Sequence, residues 1–186
     1  MNLAILVMAA GLGRRFAAEG GGQKLLAELD GIPVITHSLI NAASSGMDLY
    51  VVTRPEDVSL HGLIHPGQLI YCLSNGLGES IAAGVQATSG YDGWILALGD
   101  MPWIKSDIFH AVAGSLNQYK SVRPVIDGKP GHPVGFRHEC LADLVALKGD
   151  NGAREVLKIH PPHKLLLKDS GCLRDIDKPE DLSQHR

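Results

Sequence analysis

Small and basic residues follow the first apolar segment of the chain in a spacing suited to phosphate chemistry. Gly11 and Gly13 stand immediately before Arg14 and Arg15, and Lys24 follows after a glycine-rich spacer. Glycine lets backbone N–H groups approach a ligand without interference from a Cβ atom, and the three cations add positive charge. Because phosphate oxygens bind amide and cationic groups, the segment predicts a site for a nucleoside triphosphate.

Two common phosphate-binding loops do not fit this segment. The dinucleotide fingerprint requires a third glycine where Phe16 stands. A Walker A loop requires glycine before its lysine and serine or threonine after it, but Gln23 and Leu25 flank Lys24. The structural alternative is a glycine-rich turn with scattered surface cations. The ordered combination of strand, glycines, arginines and lysine favours the nucleotide site over that alternative.

A second candidate group is Asp100, which follows the continuously apolar segment 94–98. A carboxylate at the end of a buried strand can hold Mg²⁺, which usually takes one or two protein carboxylates together with phosphate and water oxygens. Asp177 is the candidate second ligand, and Asp175 stands close to it. The alternative role for Asp100 is an N-cap of the following helix, because aspartate is strongly preferred at that position.

The composition is that of a compact α/β protein, which we interpret as a single domain over residues 1–186. The chain has 186 residues, of which 45% are apolar and 22 are glycine. The formal net charge of −3 provides no basic surface for nucleic acid or an anionic membrane. Three cysteines without a CxxC spacing are typical of a reducing compartment. The first apolar segment is too short to cross a bilayer and lacks signal-peptide features, so we expect a cytoplasmic protein.

Apolar segments alternate with helical segments along the chain. The predicted strands are 3–8, 49–52, 69–73, 94–98, 121–126, 132–136 and 165–167, and the predicted helices are 33–45, 56–63, 81–87, 106–118, 139–147 and 151–159. This alternation predicts a Rossmann-like, three-layer α/β fold with a mostly parallel sheet and helices on both faces. The turn at Asp127–Gly131 predicts an antiparallel hairpin, which makes the sheet mixed. Ligands of such sheets bind beyond the carboxyl ends of the strands. Residues 9–15, residues 74–80 and Asp100 are therefore expected around one crevice.

Four further motifs follow the N-terminal loop in order. They are Gly99-Asp100-Met101-Pro102, Gly131-His132-Pro133-Val134-Gly135-Phe136, Gly149-Asp150-x-Gly152-Ala153-Arg154 and Asp175-Ile176-Asp177-x-Pro179-Glu180-Asp181. With the loop, they resemble the MocA-like molybdenum cofactor cytidylyltransferases over essentially the whole chain. The resemblance implies a nucleotidyltransferase (GT-A-like) fold. It also implies transfer of CMP from CTP to the phosphate of the molybdopterin cofactor, with release of pyrophosphate.

The resemblance also implies roles for individual residues. The nucleotide would be bound by Ala9, Ala10, Gly11, Leu12, Gly13, Arg14, Arg15, Lys24, Asn75, Gly78 and Ser80. The catalytic residues would be Lys24, Asp100 and Arg15, and the Mg²⁺ ligands would be Asp100 and Asp177. The acceptor side would be shaped by Gly131, His132 and Pro133. The position of His132 between glycine and proline favours a role in substrate positioning over a catalytic one.

Base specificity, acceptor and partners also depend on the resemblance. Guanylyl-transferring relatives usually carry Ala-Gly-Gly where this chain has Ala9-Ala10-Gly11, which favours CTP over GTP. The spacer 17–22 is longer than the tightest form of the motif, and a flexible lid is one interpretation of it. Two alternatives stay open: a nucleotidyltransferase with another base or acceptor, and a non-catalytic protein of the same fold that binds or delivers cofactor. The implied partners are a nucleoside triphosphate, the pterin cofactor and a cofactor-insertion protein or recipient molybdoenzyme.

Overall fold

The computed structural model describes residues 1–183 of the chain. Its first strand, β1 (Leu3–Met8), is buried along its whole length and lies in the interior of an eight-stranded sheet. All six side chains of β1 are apolar, as expected for a strand that is covered on both faces.

The other elements follow in alternation. The strands are β2 (Glu28–Leu29), β3 (Ile32–Pro33), β4 (Asp48–Thr53), β5 (Leu69–Tyr71), β6 (Gly93–Leu98), β7 (Ser121–Ile126), β8 (Lys129–Pro130), β9 (Val134–Arg137) and β10 (His163–Leu166). The helices are α1 (Arg14–Ala18), α2 (Val34–Ala43), α3 (Val58–His61), α4 (Leu77–Ala87), α5 (Ser106–Ser115), α6 (Leu141–Val145) and α7 (Arg154–Ile159). Short 3₁₀ turns occupy Lys24–Leu26, Pro66–Gln68, His138–Cys140, Ser170–Leu173 and Pro179–Ser183.

The large sheet has the strand order β10-β7-β9-β6-β1-β4-β5, with β8 paired to β7. Strands β5, β4, β1 and β6 are parallel neighbours, and β10 is parallel to β7. Strand β9 runs antiparallel between β6 and β7, and β2 and β3 form a separate small hairpin. The mixed, mostly parallel sheet confirms the predicted fold class.

Helices cover both faces of the sheet over two apolar clusters. One cluster contains Ile35 of α2 and Phe109 of α5, and the other contains Ile81 of α4 and Leu144 of α6. Alternate side chains of β1 enter the two clusters, because successive residues of a strand point to opposite faces. Among residues 1–183, no helix is both long enough and apolar enough to span a membrane.

Several element boundaries differ from the sequence prediction. Helix α4 begins at Leu77 rather than at residue 81, and α7 begins at Arg154 rather than at residue 151. Gly149 and Gly152 have positive φ angles of 67° and 58°, so the chain before α7 turns in a conformation that excludes a regular helix. The sequence did not predict α1, although its Phe16 side chain is buried.

Candidate active site

The carboxyl ends of β1, β4 and β6 open into a cleft of about 640 Å³. Its walls are formed by residues 8–16 after β1, residues 74–77 at the start of α4, and the side chains of Lys24, Asp100 and Asp177. This is the edge at which ligands of parallel sheets bind. The structure therefore brings most of the predicted site residues around one cleft.

The loop between β1 and α1 presents backbone donors to this cleft. Gly13 has a φ of 55°, a left-handed conformation that glycine adopts without strain, and α1 begins at the next residue. Gly11 is exposed, and a Cβ atom there would meet no atom within 4 Å. In the described part of the chain, the amides of residues 10–13 have no protein acceptor. These N–H groups can therefore donate to phosphate oxygens.

Lys24 and Asp100 form an ion pair at the floor of the cleft. Lys24 Nζ lies 2.7 Å from Asp100 Oδ2, and the two side chains are only 16% and 20% exposed. The other carboxylate oxygen, Asp100 Oδ1, is buried and has no hydrogen-bond partner within residues 1–183. A buried carboxylate oxygen is unfavourable without a partner, and Mg²⁺ prefers such hard oxygen ligands. The donor set at Asp100 therefore fits a divalent cation.

Asp100 does not cap the helix that follows it. Helix α5 begins at Ser106 with Lys105 at its N-cap position, so the alternative of an N-cap role for Asp100 is wrong. Asp100 instead lies within a tight turn after β6. The amide of Met101 closes this turn by donating to the carbonyl of Leu98. This turn leaves the carboxylate of Asp100 at the cleft.

The C-terminal Asp-Ile-Asp motif lies directly beside Asp100. Ile176 is fully buried, and its amide donates to the Asp100 carbonyl at 2.8 Å. Asp177 lines the cleft and accepts a hydrogen bond from Arg15 at 2.9 Å, which raises the pKa of that arginine. Partial burial, followed by the negative charge of Asp100, raises the pKa of Asp175. No group of three or more His, Cys, Asp or Glu side chains within residues 1–183 could hold a metal, so a cation here would rely on one or two carboxylates.

Arg54 is a cleft residue that the sequence analysis missed. It follows β4 directly, and its guanidinium donates to the Ser74 carbonyl and, through Nε, to Glu56 at 3.0 Å. The sequence pattern that could have identified Arg54 is a charged residue immediately after a buried strand. The same pattern identified Asp100. Arg54 thereby connects the end of β4 to the segment that begins α4.

The predicted residues at the start of α4 have different surroundings. Asn75 is exposed and lines the cleft, and Ser80 also lines it with a hydroxyl that donates to Ser74 Oγ at 2.8 Å. Gly78 does not line the cleft. Its amide donates to the Gly149 carbonyl at 2.9 Å, and an added Cβ atom would lie 2.9 Å from the carbonyl oxygen of Lys148. The structure thus places Gly78 at an internal contact.

The Gly149-Asp150 loop supports the start of α4 from the other side. Asp150 lines the cleft, and its Oδ1 accepts the amide of Leu77 at 3.2 Å. A Cβ atom on Gly76 would lie 2.5 Å from the carbonyl oxygen of Gly149. The close approach of the two backbones therefore requires glycine at position 76. The loop around Asp150 fixes one wall of the cleft, although it is distant from α4 in sequence.

The predicted acceptor residues lie at a second depression of about 220 Å³. Gly131, His132 and Asp175 line it, and it shares Leu98 with the main cleft, whereas Pro133 lines neither cavity. Burial, followed by the positive charge of Arg123, lowers the pKa of His132 to about 4. At neutral pH the imidazole is therefore uncharged, and it can position a substrate by hydrogen bonding rather than by charge.

The fold and the site together are those of an α/β nucleotidyltransferase, in which a glycine-containing loop with unpaired amides follows the first strand and a carboxylate follows a central strand. Comparison with known families gives the same result. Residues 5–165 match the MobA-like NTP transferase domain, and the chain belongs to this family.

Two curated relatives and two solved structures cover nearly the whole chain. The purine catabolism protein PucB of Bacillus subtilis is 33% identical over 96% of this chain and 93% of its own length. The molybdenum cofactor cytidylyltransferase of Escherichia coli is 26% identical over 95% of this chain and 91% of its own length. Rv0371c of Mycobacterium tuberculosis has the same fold, with a TM-score of 0.85, 20% identity, and coverage of 99% of this chain and 97% of that one. A structure of Rv0371c in complex with manganese superposes with a TM-score of 0.81, 18% identity and coverage of 99% and 97%.

Proposed function

We propose that this protein transfers CMP from CTP to the phosphate of the molybdopterin cofactor, with release of pyrophosphate. The observation that carries this proposal is the Lys24–Asp100 pair. The ammonium of Lys24 lies 2.7 Å from a carboxylate that has one unpartnered oxygen, next to a loop of unpaired amides. The choice of CTP and of a molybdenum cofactor is supported by the name of the E. coli relative and by the motifs of the sequence.

The triphosphate would lie along residues 10–13, whose N–H groups point to no protein acceptor. Lys24 would donate to a phosphate oxygen instead of to Asp100. Arg14 and Arg15 would neutralise negative charge of the triphosphate at the rim of the cleft. An oxygen of the acceptor phosphate then attacks the α-phosphorus. The new bond joins that oxygen to the α-phosphorus, the bond between the α-phosphorus and the bridging oxygen breaks, and pyrophosphate leaves. Alignment and charge stabilisation provide the catalysis, so no protein nucleophile is needed.

Asp100 and Asp177 are the residues that would hold Mg²⁺. The unpartnered Oδ1 of Asp100 gives one ligand position, and Arg15 holds the carboxylate of Asp177 at the edge of the cleft. A bound divalent cation supplies charge neutralisation to the phosphates. The manganese complex of Rv0371c supports the assignment of a divalent ion to this fold.

The cytosine base is supported by Ala10, which is 4% exposed and stands where guanylyl-transferring relatives usually have glycine. Ala10 lines the cleft, so its methyl group would narrow the space available to the nucleotide. The three free cysteines support a reducing, cytoplasmic setting. There, a cofactor-insertion protein or a recipient molybdoenzyme would receive the product.

Transfer of radiolabel tests the proposal directly. The protein is incubated with Mg²⁺, molybdopterin cofactor and either α-labelled CTP or α-labelled GTP, and both labelled acceptor and pyrophosphate are measured. We expect labelled acceptor with CTP, none without acceptor, and much less with GTP. Label transferred only from GTP would contradict the base assignment. Nucleotide and cofactor binding without release of pyrophosphate would instead identify a carrier protein.

A further inference from the structure

Asp57 lines the main cleft, and its carboxylate has no hydrogen-bond or ion-pair partner among residues 1–183. It stands at the N-cap position of α3, where aspartate usually accepts an amide of the helix, yet its side chain makes no capping hydrogen bond. The backbone of Asp57 is engaged. Its amide donates to the Arg54 carbonyl at 3.2 Å, and its carbonyl accepts the amides of Leu60 and His61. The carboxylate is therefore the group that Asp57 can offer to a ligand.

The order of the strands places Asp57 at the end of the cleft opposite to Asp100. The neighbouring strands β6, β1, β4 and β5 are all parallel, so the segments that follow them lie side by side at one edge of the sheet. Asp100 follows β6, residues 9–13 follow β1, and Arg54 and Asp57 follow β4. Because neighbouring strands are about 4.8 Å apart, the ends of β6 and β4 are separated by about 10 Å.

The phosphates and the acceptor would occupy the other part of this edge. The triphosphate is proposed to lie along residues 10–13. The depression lined by Gly131 and His132 lies on the side of β6 that faces away from β1, because β9 pairs with β6 there. A nucleotide bound by its phosphates would therefore extend its base towards β4 and β5. Asp57 and Asn75 line the cleft at this end.

We propose that Asp57 recognises the amino group of the cytosine base and thereby selects CTP over UTP. An ionised carboxylate only accepts hydrogen bonds, and cytosine carries an amino donor where uracil carries a carbonyl oxygen. Partial burial, followed by the negative charge of Glu56, raises the pKa of Asp57, as expected for a carboxylate that is incompletely solvated. A hydrogen bond from the base would replace the lost solvation. This assignment rests on the proposed function in one respect, since the ligand must be a nucleoside triphosphate.

Asp57 and Ala10 would act on different properties of the base. Adenine and guanine carry amino groups as well, so a carboxylate does not by itself exclude purines. Ala10 lines the cleft and would act on the size of the base, whereas Asp57 would act on its polarity. CTP and UTP are pyrimidine nucleotides of nearly equal size, so a comparison of the two isolates the effect of Asp57.

Nucleotide binding in the absence of an acceptor tests this role. The dissociation constants of CTP and UTP are measured by titration calorimetry with Mg²⁺ present, for wild type, Asp57→Asn and Asp57→Ala. Asparagine has nearly the same size and presents an N–H donor that matches the uracil carbonyl, whereas alanine removes the group. The matched control is Glu56→Gln, which loses the same charge at the adjacent position, because Glu56 is exposed and does not line the cleft. Melting curves without nucleotide check that each variant folds.

We expect wild type and Glu56→Gln to bind CTP roughly 10- to 100-fold more tightly than UTP, the factor that corresponds to one hydrogen bond to a charged group. In Asp57→Asn the affinity for UTP should rise and that for CTP should fall. In Asp57→Ala the two nucleotides should bind with similar affinity. An unchanged ratio of the two dissociation constants in Asp57→Asn would overturn the proposal. Equal losses of affinity for both nucleotides would also overturn it, because they would indicate a contact with the ribose.

The two proposals fail in different ways. If Asp57→Asn exchanges the preference for CTP and UTP but wild type transfers no CMP to the pterin cofactor, the role of Asp57 stands and the proposed function is wrong. If CMP is transferred and Asp57→Asn keeps the preference of wild type, the proposed function stands and the role of Asp57 is wrong.

Discussion

The amide of Ile176 donates to the carbonyl of Asp100 at 2.8 Å, which joins the C-terminal segment to the end of a central strand. Because Ile176 is fully buried, this bond is protected from water and fixes the register of the residues on either side. Asp175 and Asp177 are thereby placed beside Asp100.

Replacing Lys24 should impair turnover while preserving the fold. In Lys24→Ala, loss of one charge-assisted bond to phosphate should lower kcat/KM for the nucleotide by roughly 10- to 100-fold. The free energy of unfolding should fall by about 1–3 kcal/mol, because the largely buried carboxylate of Asp100 loses its ion-pair partner. Steady-state kinetics and calorimetry give both values. Lys168→Ala is the matched control, and equal kinetics in the two variants would show that Lys24 does not bind the triphosphate.

Asp100→Asn should separate the metal-ligand role from a structural one. Asparagine keeps an oxygen but loses the charge that would hold Mg²⁺ against the triphosphate, so turnover should fall by about 100-fold or more. Partial recovery at high Mg²⁺ is expected if affinity is the main loss. Activity is measured over a range of Mg²⁺ concentrations beside a melting curve. Near-normal activity at low Mg²⁺ would remove Asp100 from the metal site.

Nucleotide specificity should be visible in thermal stability. With Mg²⁺ present, CTP at about 100 times its Kd should stabilise the protein by about 2.7 kcal/mol, which is roughly 5–10 °C at this chain length. GTP at the same concentration should have a smaller effect. Ala10→Gly should reduce the difference between the stabilisation by CTP and that by GTP, since it removes the methyl group at the buried position. Equal shifts for CTP and GTP in wild type would remove the base assignment and leave the reaction class intact.

Two glycine-to-alanine changes in helices should have opposite effects on stability. In Gly78→Ala, the new Cβ atom would lie 2.9 Å from the Lys148 carbonyl oxygen, so the free energy of unfolding should fall by about 1–3 kcal/mol and nucleotide affinity should weaken. In Gly114→Ala the Cβ atom meets nothing within 4 Å, so the helix should gain about 0.5–1 kcal/mol. Denaturant unfolding measures both. Stabilisation of both variants would show that the contact between α4 and the Asp150 loop is loose.

The pH dependence of stability should contain a contribution from His132. Its pKa is about 4 in the folded protein and 6.5 when unperturbed, so the unfolded chain binds the proton first. The free energy of unfolding is therefore highest, with respect to this group, above about pH 6.5, and it decreases as the pH falls towards 4. Between pH 7 and pH 5, wild type should lose roughly 1–2 kcal/mol more than His132→Gln. His110→Gln, a change at an exposed histidine, should follow wild type, and parallel curves for all three proteins would contradict a buried neutral imidazole.

Local patterns predicted the fold class and the glycine-containing loop that lines the cleft. An unbroken apolar segment with glycines and cations at its end is informative by itself, because burial, backbone freedom and charge are properties of neighbouring residues. The alternation of strands and helices likewise predicted the mostly parallel sheet, and the turn at Asp127–Gly131 predicted its antiparallel part. The position of the crevice followed from the rule that ligands lie at the carboxyl ends of parallel strands.

Relations between distant residues were decided only by the tertiary structure. Spacing left Asp100 with two possible roles, and the start of α5 at Ser106 excluded the cap. Gly78 was predicted to lie near the nucleotide. In the structure, the loop before α7 packs against it instead. The neutral state of His132 also depends on tertiary structure, because burial and the positive charge of Arg123 on β7 lower its pKa. A linear sequence does not specify such contacts by itself, because each depends on the order in which the strands join the sheet.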